Sequence, residues 1–429
     1  GVYIEQVDFN SKFIGLESRT YELSDYSVTN ETVITSPEIG GSCMELIGQD
    51  ASNIEIRGIT FSGGQSQIGG GLYIENSSPI LSGIIVENNT AEVGGGIYLN
   101  DSDVQFNDVI IKNNGANFGG GIYSTGSNPN LISSSIDSNI AYWGAGIYLE
   151  NSLTNIQKSN IRFNTAYIEG GGIYQNGNEV NLDEVAILCN NGLDFGGAFV
   201  SFSGVMSINL CTISGNDSNI GSAFNIREAV VTITNSILWN DSNAIYSSSG
   251  SQSSMINIAH TNVYDSQSEL SSINNIILDW GEGNISTDPL FCDIEDYNYA
   301  LQEGSICLSA SSSNGPIGAY NSVGCDQLSS LDKAYSPKTF ILMQNYPNPF
   351  NPITNVKYSI YEPSSVRISI YSISGIWIKD LVDGYHNSGT YSAIWNSTNS
   401  NGLKVSSGIY IYKIVANSKT EIRKMLLAK

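Results

Sequence analysis

Four groups of residues in this 429-residue chain have types and spacings that could do chemistry. Among the carboxylates, Glu75, Asp101, Asp103 and Glu150 form the best cluster, because a 25-residue period puts Glu150 in the column of Glu75 three turns later. Carboxylates that converge can act as acid and base on a glycosidic bond, but these are scattered, which fits a solvated acidic face, and no catalytic residue is expected. Asp183, Glu184 and Asp194 lie near neighbouring corners and could hold Ca2+ weakly, and no other cofactor is expected. Cations to complete such a site are few: Lys112, Lys158, Arg162 and Arg227, with His260 in IAHTNVYD as the single histidine of this region. The six cysteines show no CxxC pair and no histidine at ligand spacing, so no metal centre is expected. Cys292, Cys307 and Cys325 crowd together, which fits either one disulfide in an oxidising compartment or free thiols. The last group is aromatic: Tyr73, Tyr98, Tyr123, Tyr148 and Tyr174, each closing a glycine-rich run such as GGGIY at 94–98.

A repeat must position these residues. Aligning the chain on the last glycine of each run gives Gly71, Gly96, Gly121, Gly146, Gly172, Ala198 and Ala223, at spacings of 25 or 26. A second column holds Gly64, Asn89, Asn114, Asn139, Asn164, Asn191, Asn216 and Asn240. Three residues earlier stand Phe61, Val86, Ile111, Ile136, Ile161, Leu188, Ile213 and Ile237. The segments between are short, β-branched and alternating, as in VQFNDVIIKN, and show no 3.6-residue period. Short strands at a fixed 25-residue period describe a right-handed parallel β-helix of roughly a dozen coils over residues 1–325. A phosphate-binding loop leads into a helix, whereas these glycines lead into strands and therefore make corners.

Alternation then assigns roles. Leu72, Ile97, Ile122, Ile147, Ile173, Phe199 and Phe224 face inward, and the five tyrosines face outward as a stripe able to meet a glycan or a protein. The Asn column falls at a bend, where Asn tolerates left-handed angles and its amides can bond from rung to rung. Cys211 shares the small inward column of Ser134, Ser159 and Ala186; Cys189 lies 22 residues before it, three positions out of register, so no bridge forms between them.

Charge separates two modules. Residues 1–339 hold 9 Lys and Arg against 37 Asp and Glu, net −28, while residues 340–429 hold 9 against 4, net +5. A net charge of −23 for the whole chain argues against nucleic acid as a partner. No run of apolar residues is long enough for a membrane helix, so membrane insertion is not expected. The chain opens on GVYIEQVDF, already strand-like, and an export signal and an N-terminal cap are expected to precede Gly1. Residues 326–339 read as a linker, and 340–429 as a small β-sandwich of about seven strands entered through Pro347, Pro349 and Pro352.

The (I/F/V)-x-x-N and GG(G/A)(I/F) repeat resembles that of the polymorphic outer-membrane proteins and related right-handed β-helix surface proteins, over about Phe61 to Asn240. Residues 340–429 resemble, over nearly their whole length, the C-terminal sorting domain of the type IX secretion system of Bacteroidota. The matching residues include Asn345, Pro347, Asn348, Pro349 and Phe350 in QNYPNPFNP, Gly408 and Tyr410 in SSGIYIYKI, and Lys424 and Lys429 in KMLLAK. That resemblance implies engagement of the type IX secretion machinery and a secreted, cell-surface location on a Gram-negative bacterium. The expected function is a non-enzymatic adhesin or structural surface element, self-associating end to end through the open first coil. The alternative is a secreted polysaccharide-binding or polysaccharide-degrading protein.

Overall fold

The repeat folds as its alternation requires. The computed structural model describes residues 2–3, 15–17, 32–36, 40–48, 54–240, 244–248, 250–294, 297–320, 324–325, 340–342, 345, 347–348, 350–360, 363–373, 375–387, 389–416 and 419–428. Gly1, Pro349, Lys429 and the 326–339 segment therefore lie outside the described residues, as does most of the opening coil. The chain divides into two compact units, Gly1–Ser329 and Ser330–Lys429.

The first unit is a parallel β-helix. Its walls are three long parallel sheets of 11, 9 and 11 strands, with a four-stranded sheet at one corner. The nine-stranded sheet runs from Met44–Ile47 to Ile245–Ser247 and carries the tyrosines, so it is called the tyrosine sheet below. Ile97 stands opposite Leu72 and Ile122, and the inward column continues through Ile147, Ile173, Phe199 and Phe224, all buried. Phe199 and Phe224 stack inside the coil with ring centroids 4.9 Å apart.

Each coil turns through residues with left-handed backbone. Gly94 opens GGGIY at φ 66°, and a Cβ there would come within 2.7 Å of the Ile97 carbonyl oxygen. Gly96 serves a different need: a Cβ would lie 2.5 Å from the Gly121 oxygen and 2.9 Å from the Asn114 amide nitrogen, so its absence makes room for the Asn column.

The Asn column forms a continuous ladder. The backbone N–H and the Nδ2 of Asn89 both donate to Asn114 Oδ1 at 3.0 Å, and Asn114 repeats this on Asn139, and Asn139 on Asn164. Each Nδ2 also donates to a carbonyl of the preceding coil, for example Asn114 to Val86 at 2.9 Å. Both donors and the oxygen are thus satisfied without water, which lets the amides be buried.

Register differs from the sequence reading at three places. The ladder runs from Asn164 to Asn190 and then Asn216, not through Asn191, whose Oδ1 has no partner among the described residues. The spacer before the glycines is eight residues in that coil, and two adjacent asparagines hid the shift. Ile187 and Leu238 accordingly fill the inward column, while Leu188 and Ile237 face outward. Asn240 donates back to the Asn216 carbonyl and leaves its own Oδ1 without a described partner, so it does not continue the ladder. Val185, not Ala186, occupies the Cys211 column, because Ala186 pairs with Thr212. The left-handed angle also belongs to the residue before each ladder Asn, at Asn88, Asn113, Ser138, Phe163 and Cys189.

Regular pairing runs to Ile276–Trp280, and α1 (Gln267–Ser271), with its Ser266/Glu269 capping box, buries Leu270 against the end of the core. The chain then folds back. An antiparallel pair, Phe291–Asp293 with Asn298–Leu301, packs Phe291, Tyr299 and Leu301 on the outward Ala186, Leu188 and Ile237. Cys292 and Cys325 form a disulfide that closes this strap, leaving Cys307 buried and free.

The second unit is a sandwich of antiparallel sheets. Phe340–Leu342, Thr354–Ile360 and Gly389–Trp395 form one, and Trp377–His386, Ser364–Ser372, Gly408–Ala416 and Lys419–Leu427 the other. Trp395, Tyr358, Tyr412 and Phe350 fill the space between them.

Candidate functional site

The tyrosine sheet puts its five tyrosines in strict register, Tyr73 opposite Tyr98, then Tyr123, Tyr148 and Tyr174. Their rings stack with centroids 5.3, 5.5, 5.0 and 4.6 Å apart and interplanar angles of at most 12°. Stacking covers the ring faces, so each tyrosine is half-buried and shows solvent mainly an edge. The column alternates with the buried Ile97 column, its ring faces covered by one another. A second aromatic column adjoins it, with Phe118 and Trp143 stacked at 4.8 Å and Phe118 meeting Tyr148 edge-on at 5.8 Å.

The carboxylates of the same face are engaged in hydrogen bonds. Tyr73 donates to Glu75 at 2.8 Å, Tyr123 donates to Glu150 at 2.6 Å, and Asn100 Nδ2 donates to the other Glu75 oxygen at 3.1 Å. Glu75, Asn100, Thr125 and Glu150 occupy one column, two polar residues separating the acids. Burial first, and the adjoining carboxylate second, push the Tyr73 hydroxyl up to about 12. Burial pushes Tyr148 up to about 12 as well, and raises Tyr98, Tyr123 and Tyr174 in the same direction. These hydroxyls stay protonated, and those of Tyr73 and Tyr123 donate to the carboxylates.

The remaining candidates are dispersed. Asp103 accepts from the backbone and the amide of Asn128, and Asp183 accepts from Asn209 at 2.7 Å. Lys112 pairs with Glu87 at 3.3 Å and Arg162 with Asp137 at 3.1 Å, in one column that alternates Glu87, Lys112, Asp137, Arg162 along the coils. His260 faces Glu282 at 3.9 Å, away from the other acids considered above. Among the described residues no three acidic, histidine or cysteine side chains come together to hold a metal ion. Cys189 and Cys211 are both free; Cys189 faces the strap, its Sγ 3.3 Å from the Tyr299 hydroxyl, and Cys211 is buried. Burial raises both thiols, to about 11 and about 12, which keeps them protonated.

A second ladder escaped the sequence reading. Ser77 N–H donates to Ser102 Oγ at 3.1 Å, Ser102 to Ser127 at 2.9 Å and Ser127 to Ser152 at 3.3 Å. The signal was present as serine at a strict spacing of 25.

In the second unit the motif residues from opposite ends of the domain meet. Asn345 N–H donates to the Tyr412 hydroxyl at 2.8 Å, and its Nδ2 donates to Thr354 Oγ1 at 2.9 Å. Asn348 Oδ1 accepts from Leu426 N–H at 2.8 Å, and Phe350 N–H donates to the Leu426 carbonyl at 3.0 Å. Gly408 faces Leu427 and Tyr410 faces Met425 across the last strand pair, which places Lys424 opposite Ile411.

Two family models match this chain: a right-handed β-helix region over residues 7–160 and a secretion-system C-terminal sorting domain over 344–428. No curated protein matches. Among solved structures, the crystal structure of dimeric latent PorU from Porphyromonas gingivalis is similar over 22% of this chain and 10% of its own, at 19% identity and a TM-score of 0.19. No helix among the described residues is long and apolar enough to cross a membrane. The repeat, the parallel sheets and the sorting motifs agree with the two family matches: the chain is a parallel β-helix protein carrying a C-terminal sorting domain of the type IX secretion system.

Proposed function

We propose that the β-helix is a non-enzymatic element displayed at the cell surface, where it serves as a structural or adhesive rod exported through its sorting domain. One observation carries this reading: six of the charged residues that could do chemistry are bonded to neighbouring side chains. Glu75 and Glu150 hold tyrosine hydroxyls, Asp103 and Asp183 hold asparagine amides, and Lys112 and Arg162 are paired with acids. A general base or a metal ligand turns its acceptor oxygens toward substrate or ion, whereas each of these carboxylates has at least one oxygen engaged by a neighbouring side chain. Such bonds favour a stiff, regular coil over a reactive groove.

The test compares intact cells with and without the chain. Protease should remove the β-helix from whole cells, and loss of the chain should weaken attachment of cells to one another or to a surface. A chain protected from protease on intact cells, or unchanged attachment, would remove the reading.

A second reading has its own support. The half-exposed edges of the tyrosine column and of Phe118 and Trp143 form one aromatic face several coils long, a surface suited to sugar rings. Glycan binding there should change Trp143 fluorescence, and a flat response across a glycan array would discard it.

A further inference from the structure

We propose that Glu169, placed between Trp143 and Phe195 in the stack of coils with Asp194 at its rim, is a docking point for a cationic side chain of a protein partner, arginine above all. Beside the tyrosines runs a second outward column, one residue per coil: Ile68, Val93, Phe118, Trp143, Glu169, Phe195 and Ile220. Six of these are apolar or aromatic, and Glu169 alone is charged. A change of coil length puts it there. Two residues separate Ala166 from Glu169 where one separates Ala141 from Trp143; the next coil keeps the extra residue between Gly192 and Phe195, and the one after drops it. Such a bulge bends the strand and re-aims a side chain. Trp143 lies flat on Phe118, with ring centroids 4.8 Å apart and planes 10° apart, so its other face turns toward the Glu169 coil. Phe195 stands one coil beyond Glu169, two rungs from Trp143, or roughly 10 Å along the stack.

Glu169 is half-buried and Asp194 exposed, and neither carboxylate has a hydrogen bond or an ion pair among the described residues. Burial first, and the Asp194 charge second, push the Glu169 carboxyl above its ordinary value, a cost that a bound cation would relieve. Its charge also reaches the tyrosine column, where burial, then Glu150, then Glu169 raise the Tyr148 hydroxyl. The four strands of this corner, IAYW, TAYIE, NGLDF and DSNI, hold no lysine or arginine that could supply the cation from within. A net charge of −28 over residues 1–339 draws cations toward it from outside. A hard metal ion needs several oxygen ligands, and among the described residues no third acid, histidine or cysteine joins this pair. An organic cation needs only a ring face and a carboxylate. A neutral sugar would leave the carboxylate unpaired. Guanidinium is flat, stacks on rings and offers paired N–H donors, so arginine fits better than lysine. The proposal deepens the adhesive reading and rests on it for where the partner is met.

The experiment titrates the purified full chain by calorimetry with a peptide of alternating glycine and arginine, and with its citrulline counterpart, which keeps the shape and removes the charge. The parent should bind the arginine peptide and not the citrulline one. Glu169→Gln should weaken binding about tenfold, the loss of one charge-assisted hydrogen bond. Trp143→Leu should weaken it about threefold through the lost ring face. Asp279→Asn, at an exposed acid on another sheet, should stay within about twofold of the parent. Glu169→Gln should also melt no lower than the parent, since it removes an unpaired, half-buried charge. No binding by the parent, or equal binding of the two peptides, would overturn the proposal. Equal weakening by Glu169→Gln and Asp279→Asn would overturn it in favour of a diffuse acidic field, and a Glu169→Gln chain that melts below the parent would overturn it by showing that the carboxylate serves the fold. Selective binding by the purified chain together with unchanged attachment of cells would remove the adhesive reading alone.

Discussion

The two units are built by opposite strategies. In the β-helix the backbone, Asn and Ser ladders join each residue to one about 25 residues away, as in Asn114 to Asn139 or Ser102 to Ser127. In the sorting domain the decisive contacts close long distances, as when Leu426 meets Asn348 78 residues back. A stack of coils is stabilised by nearest-neighbour terms, so damage stays local. A sandwich with one shared core stands or falls as a whole.

Four substitutions or conditions sharpen that contrast, beginning with the largest effect. Trp395→Ala removes the largest side chain of the sandwich core and its bond to the Thr398 carbonyl. It should cost about 3–5 kcal/mol and melt the sorting domain while the β-helix transition stays in place, which two-transition urea unfolding would show. One merged transition would contradict the independence of the units.

Asn139→Ala breaks the ladder at mid-stack, leaving the Asn114 donors and the Ile111 carbonyl buried without their partner. The expected cost is about 2–3 kcal/mol, with faster amide exchange concentrated in the adjoining coils. Exchange spread evenly over the unit would show that coils do not respond locally.

Alkaline pH probes the tyrosine column. Tyr73 and Tyr148 ionise near 12 in the fold against an ordinary 10.0, so their contribution is intact below about pH 10 and is lost as pH rises toward 12. The melting temperature should fall over that window together with tyrosinate absorbance, and Tyr73→Phe should blunt the fall. Melting that is flat from pH 10 to 12 would show that the stack adds little.

The smallest effect separates neighbours. Asn191→Ala should change stability by less than about 0.5 kcal/mol, whereas Asn190→Ala should behave like Asn139→Ala. Equal losses would return Asn191 to the ladder.

That last pair marks the limit of what the sequence discloses. Spacing alone located the coils, the inward Ile97 column and the tyrosine register, because a fixed period of stacked strands leaves little freedom. It failed where a coil gained a residue between two asparagines, since Asn190 and Asn191 fit the pattern equally and only bonding to Asn164 and Asn216 selects one. The strap was legible as three crowded cysteines but not as a cover, because Leu188 and Ile237 fit the apolar-x-x-N column that Ile187 and Leu238 fill, and so did not stand out as outward apolar residues. The left-handed corners at Phe163 and Cys189 carry no sequence signature, as bulky residues avoid that conformation. Tyr297 and Tyr299 pack against these two side chains from the strap, a contact no local pattern encodes.

The contact between the two ends of the sorting domain was half visible. Its residues appear as motifs at 344–352 and 424–429, yet only the folded sheet shows that they touch. The acidic residues were visible too, as a scattered set, and the structure adds that Glu75 and Glu150 are acceptors for tyrosine.

Under the proposed function these carboxylates hold the coil together and do not catalyse. Incubating the full chain with neutral and acidic polysaccharides, and following new reducing ends and unsaturated products, tests it most directly. The expected result is no turnover by the parent or by Glu150→Gln, with only the variant less stable. Turnover by the parent that Glu150→Gln abolishes would contradict it.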